Sequence, residues 1–158
     1  MEALLDFSAV EAVLLSESGG KGASLARLAQ ADFPVPGGFI VTSGAYLEFI
    51  ESDTGFQRAV GELEFENADR LREQCEVIRQ RLGERPLPEP VRECLAQRAS
   101  RLLEDGPVSV RSSSTMEDLA GAAFAGQHDT FLNVTSVDGV LQCNAQMIPF
   151  FFVGFSGA

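Results

Sequence analysis

The chain has 158 residues, 45% of them hydrophobic and 22% charged, which is the size of one domain or part of one. That composition excludes a disordered chain, a collagen and a coiled coil, and this length buries roughly 70% of its unfolded surface. The formal net charge of -11, from 23 acidic against 12 basic residues, argues against nucleic acid or an anionic membrane as the main partner, because both attract basic patches.

Two oddities stand out. Lys21 is the single lysine among the 12 basic residues, and the last 20 residues, from Gly139 to Ala158, carry no charge. The start, MEALLDF, has two acids and no basic segment, unlike a signal peptide. Three cysteines without CxxC spacing suggest neither a disulfide framework nor a zinc site. Cys75 and Cys94 fall on apolar helical stripes and are expected to be buried thiols in a reducing cytoplasm. The dense apolar part of the uncharged end, Met147 to Phe155, is nine residues, against about 20 for a membrane span.

In chain order, Ser18-Gly-Gly-Lys-Gly is a glycine-rich turn running into a helix from about Gly22 to Ala31. Pro34-Val-Pro-Gly-Gly breaks it, Phe39-Ile-Val-Thr reads as a strand, and Thr42 caps a helix with Ala45, Tyr46, Phe49 and Ile50 on one face. A helical insert follows over about 55–105. Its first stripe is Leu71, Cys75, Ile78 and Leu82; its second is Val91, Cys94, Leu95, Ala99, Leu102 and Leu103. The Arg and Glu on the opposite faces read as solvated surface with i,i+4 pairing. Val108 to Ser114 is a strand entering a polar loop, Gly121 to His128 a second glycine-rich turn, and Asp129 to Val134 a strand. Ser136 caps a last helix that Pro149 must end. The expected fold class is α+β.

Three segments combine glycine, small polar residues and a charge. Gly20, Lys21 and Gly22 open a helix, where backbone amides and a partial positive charge favour an anion; the spacing is not that of a P-loop, and a plain turn with a surface lysine fits too. Arg111 followed by Ser112, Ser113 and Ser114 suits bidentate phosphate contacts, or Arg111 pairs with Glu117 or Asp118 while the serines form turns. Gly126, Gln127 and Thr130 belong to a turn that lies over nucleotide phosphates or closes a hairpin. His128 is a general-base candidate or a structural histidine.

Together and in this order, these segments resemble the N-terminal nucleotide-binding part of the phosphoenolpyruvate synthase and pyruvate phosphate dikinase family, which rifampicin phosphotransferase shares. The matching stretches are Gly19-Gly-Lys-Gly-Ala-Ser-Leu, Phe33-Pro-Val-Pro-Gly-Gly-Phe-Ile-Val-Thr with Ala45-Tyr46, Val110-Arg-Ser-Ser-Ser-Thr-Met-Glu-Asp-Leu, and Gly121 through Val134. They cover roughly residues 5–141. The resemblance implies an ATP-grasp-like nucleotide fold, N-terminal portion only. It implies that Lys21 and Arg111 bind ATP phosphates and that Gly121 to Thr130 folds over the nucleotide. Family members use ATP to phosphorylate a histidine on a swivelling domain, which passes the group to pyruvate or another acceptor.

The family's Mg-binding acids, the rest of its ATP cleft, and its phosphohistidine and acceptor domains lie beyond residue 158, and His128 does not match the phosphohistidine. Residues 142–158 depart from the family as an uncharged, Phe-rich tail, as a truncated or frame-shifted end would. The implied function is an ATP-binding fragment, not catalytic by itself. Two alternatives are an interaction module docking on a partner through the tail, and one half of a split rifampicin phosphotransferase-like enzyme whose remainder is a separate chain.

Overall fold

The structure is a computed structural model that describes residues 2–113, 130–146 and 151–156, the last six and 144–146 by their backbone. Its centre is an antiparallel sheet of β1 (Leu4–Asp6), β2 (Gly38–Val41), β3 (Val108–Ser113), β4 (Thr130–Val134) and β5 (Phe151–Ser156). The spatial order is β1-β2-β5-β3-β4, every neighbouring pair antiparallel. Among the described residues six α-helices accompany it, α1 (Leu15–Gln30), α2 (Ser43–Glu51), α3 (Thr54–Gly61), α4 (Ala68–Glu84), α5 (Glu89–Leu103) and α6 (Val137–Gln146), with a 3-10 turn at Val10–Val13.

Strand side chains alternate between faces, so each strand supplies two layers. On one face Leu4, Phe39, Val41, Val108 and Val110 pack with Val91, Leu95 and Ala99 of α5 and with Val140 and Cys143 of α6. On the other, Leu5 and Ile40 pack with Ala26 of α1 and with Phe7 and Ala12. The α5 stripe supplies the deepest helical anchor, Leu95, which is fully buried. Truncating such a residue to alanine costs about 2–5 kcal/mol.

The uncharged end of the chain becomes β5, hydrogen-bonded along its backbone to β2 on one side and to β3 on the other. Phe151 to Ser156 therefore dock on their own sheet rather than standing apart from it.

Thr42 caps α2 as expected, its hydroxyl accepting from the Ala45 amide, and Ala45 and Phe49 are buried on that helix. Ser136 caps the start of α6, its hydroxyl accepting from the Gly139 amide. The expectation of buried thiols fails at both positions: Cys75 and Cys94 are exposed, while Cys143 is buried. The reason is geometric. α4 touches the body of the protein chiefly through Leu82, with Ile78 half-buried, so the stripe rises out of the core before it reaches Cys75. On α5 the core meets Val91, Leu95 and Ala99, a narrower face that leaves Cys94 outside.

Much of the charge on these helices is indeed solvated, in exposed i,i+3 pairs such as Arg72–Asp69, Arg79–Glu76 and Arg92–Glu89. Two groups do more. Arg98 on α5 pairs with Asp6 at the end of β1. Asp53, itself buried, caps α3 through the Gly55 and Phe56 amides. It also takes a bidentate pair from Arg81, at 2.9 and 3.2 Å. Arg85 lies 3.4 Å from the same carboxylate, with its guanidinium 4.6 Å above the Phe49 ring. This cluster fastens α4 to the α2–α3 corner across 28 residues of sequence.

Burial works to raise the Asp53 carboxyl, but the Phe56 and Gly55 amides and the Arg81 guanidinium outweigh it and hold the group below the usual carboxylate range. Its contribution to stability is therefore complete above the ordinary carboxyl value and disappears as pH falls through the lower native one. Asp53→Asn keeps a capping side chain and removes the charge. It is expected to lower Tm at pH 7 by at least about 3 °C, with the gap from wild type closing in strong acid. Thermal melts between pH 7 and 2 check this; a gap constant across that range would contradict it.

Candidate functional site

The sheet face covered by α1 changes character from one strand to the next. It is apolar at β1 and β2, through Leu5 and Ile40, and polar at β3, where alternation brings Ser109, Arg111 and Ser113 to the same side. α1 crosses this boundary, and it does so with a break.

The helix begins at Leu15, earlier than its sequence pattern suggests, because one turn precedes the glycines. At Gly19 the backbone leaves helical geometry for φ 63 and ψ 178, a region accessible essentially to glycine alone. Space makes the same demand. A Cβ on Gly19 would lie 2.2 Å from the Ser113 carbonyl oxygen. The helix then resumes through Gly20, Lys21 and Gly22 directly against the end of β3.

Three hydrogen bonds join these segments across more than 90 residues. The Ser113 hydroxyl donates to the Ser18 carbonyl at 2.7 Å. The Gly22 amide donates to the Ser113 Oγ at 3.0 Å. The Lys21 Nζ donates to the Ser112 carbonyl at 3.2 Å. Arg111 is half-buried, one residue further from the strand end, and stands in register with Thr130 of β4, which is exposed.

The fold thus brings Gly20, Lys21 and Gly22 together with Ser112, and Arg111 beside Thr130. Gly126, Gln127 and His128 lie outside the described residues, as do Glu117 and Asp118. The Ser112 hydroxyl is buried and, like that of Ser18, has no hydrogen-bond partner among the described residues; the atom Ser112 turns to Lys21 is its carbonyl oxygen. The corner gathers a helix start and a lysine at the end of the strand that bears Arg111. Sequence reasoning overlooked Ser18, Gly19 and Ser113 as a structural unit. The repeated serines were visible, but nothing local reveals that Ser113 spends its hydroxyl on α1.

Among the described residues no group of three or more His, Cys, Asp or Glu side chains converges to hold a metal ion. The described part of the corner therefore does not fit a divalent cation held by protein ligands alone. Among the same residues no helix is long and apolar enough to cross a membrane. A groove of about 290 Å³ lined by Asp105, Pro107, Ser109, Leu132 and Asn133 lies at the opposite end of β3 from Ser113.

Comparison with known proteins gives this geometry a context. The model of a family described as pyruvate phosphate dikinase, AMP/ATP-binding domain, matches residues 15–148. The match ends seven residues past Leu141. The chain is 38% identical to a probable phosphoenolpyruvate synthase of Methanocaldococcus jannaschii over 134 residues, 79% of this chain and 11% of that protein. It is 38% identical to the rifampicin phosphotransferase of Bacillus subtilis over 143 residues, 88% of this chain and 16% of that protein. A probable phosphoenolpyruvate synthase of Methanothermobacter thermautotrophicus is 40% identical over 134 residues, 78% of this chain and 19% of that protein. The chain spans about a tenth to a fifth of the length of these curated relatives.

Two glycine substitutions test the kink. Gly19→Ala is expected to destabilise the protein by more than about 2 kcal/mol, from backbone strain and the collision with Ser113. Gly83→Ala, inside α4 with nothing within 4 Å of a new Cβ, is expected to be neutral or to stabilise by up to about 1 kcal/mol. Urea unfolding of both variants checks the contrast; equal effects would contradict the role given to Gly19.

Proposed function

The chain belongs to the pyruvate phosphate dikinase AMP/ATP-binding domain family, and from that premise we propose that residues Gly20 to Gly22, Lys21 above all, and Arg111 form a corner that binds the phosphates of ATP. The observation that carries the reading is the bond from Lys21 to the Ser112 carbonyl, which seats the ammonium at the end of the strand that bears Arg111. Resumption of α1 at Gly20 adds helix-start amides beside the same point. Fixed cations and oriented amides suit phosphoryl oxygens, because their positions are set before the ligand arrives.

On this reading the corner is one wall of an ATP-grasp-like nucleotide cleft. Gly126 and Gln127 contribute to the nucleotide contact, Thr130 at the start of β4 does so beside Arg111, and the Ser112 main chain helps frame the phosphates. The whole activity is that of a phosphoenolpyruvate synthase-like or rifampicin phosphotransferase-like enzyme, in which ATP phosphorylates a histidine and the group passes to pyruvate or another acceptor. Those later steps fall to parts of the relatives outside the matched stretch, whether in the same polypeptide or in a second one, and these 158 residues bind nucleotide without turning it over. Mg²⁺ accompanies the nucleotide with its protein ligands elsewhere. The setting is cytoplasmic, in keeping with free, exposed thiols at Cys75 and Cys94.

Isothermal titration with ATP tests the assignment. Lys21→Ala and Arg111→Ala are each expected to weaken binding by at least roughly tenfold, the scale of one hydrogen bond to a charged group. Identical affinity in the wild type and both variants would sink it. Chelating Mg²⁺ with EDTA is expected to change the affinity of the chain for ATP by less than about threefold, because two fixed cations and helix amides attract the uncomplexed tetra-anion as well. A loss of binding on chelation, followed by the same titration, would place metal ligands within this chain.

A further inference from the structure

We propose that Ser113 is a positioning residue of the phosphate corner, its hydroxyl setting the turn that carries Lys21. The inference rests on the reading of that corner as a phosphate site. Ser113 is fully buried, so it acts through a neighbour and does not itself meet a ligand. Both capacities of its hydroxyl are used: it donates to Ser18 just before the kink and accepts from Gly22 just after it.

Those two partners have a particular relation. The Ser18 carbonyl and the Gly22 amide are the i→i−4 pair that spans Gly19. In an unbroken helix they would meet each other; here one hydroxyl meets both. A side chain inserted into the helical ladder is a recognised cause of a sharp kink. Lys21 lies inside the bracketed segment, and its ammonium reaches the carbonyl of Ser112, the residue preceding Ser113. Two consecutive residues of β3 therefore hold the turn by its main chain and by its one cationic side chain. Gly19 makes this possible, since any larger residue would push the Ser113 backbone away.

If Ser113 works chiefly by placing Lys21, and only in small part through the helix-start amides, most of the effect of its removal depends on Lys21. The test is a double-mutant cycle on the full chain, with ATP affinity by titration calorimetry and folding followed by circular dichroism. Ser113→Ala is expected to weaken ATP binding roughly five- to tenfold. Added to Lys21→Ala, the same change is expected to cost less than about twofold more, a strong departure from additivity. Ser113→Cys keeps the branching with a somewhat larger atom and loses most of the hydrogen bonding, and it is expected to weaken ATP binding as Ser113→Ala does. An undiminished loss in the Lys21→Ala background, or wild-type affinity in the folded Ser113 variants, would overturn the positioning role. Unchanged affinity in Lys21→Ala, or no ATP binding by the wild type, would instead remove the phosphate reading itself and this inference with it.

Discussion

One serine hydroxyl shared between the two sides of a glycine kink is the interaction on which the rest of the site depends. It converts what would be a continuous helix into a turn and a restarted helix, and it fixes that restart against the end of β3. The cost is local: a backbone conformation open to glycine alone and the burial of two further serine hydroxyls without partners among the described residues. The return is a helix N-terminus and a lysine at the end of the strand that bears Arg111, in a chain whose net charge is -11. Electrostatic attraction for an anion must come from such local placement, since the overall field of the protein repels it.

The sheet explains why this corner is polar. β1 and β2 present apolar residues to both helical layers, so α1 is anchored there by Ala26 against Leu5 and Ile40. β3 presents apolar residues to one layer and Ser109, Arg111 and Ser113 to the other. The same helix is thus held by hydrophobic packing towards its C-terminal end and by hydrogen bonds at its start. A rigid body with a polar tip is a sound arrangement for binding a ligand, because the packing absorbs no part of the rearrangement that binding demands.

Local signals read well from the sequence, and non-local ones did not. Thr42 and Ser136 as caps, and the Val91–Leu95–Ala99 face of α5, follow from side-chain chemistry within a few residues. The exposure of Cys75 and Cys94 was illegible, because a stripe at helical spacing gives a direction and not its width or where the core ends. The place of Phe151 to Ser156 between β2 and β3 was likewise hidden, since strand order depends on pairings between distant segments. Arg81 and Arg85 read as part of a solvated helix face until the fold set them against Asp53. The Lys21 and Arg111 segments were each ambiguous alone, and the contact of Lys21 with the Ser112 carbonyl, 91 residues away, was legible in neither.

The central claim is that ATP phosphates meet the chain where α1 restarts against β3. Amide chemical shifts in a ¹⁵N-labelled sample, followed as tripolyphosphate and then ATP are added, test it residue by residue. The account predicts that both ligands move the amides of Gly20, Lys21 and Gly22 together with those of Arg111, Ser112 and Ser113. Shifts confined to other regions, such as α4 or the groove at the start of β3, with the Gly20–Gly22 amides unmoved, would contradict it.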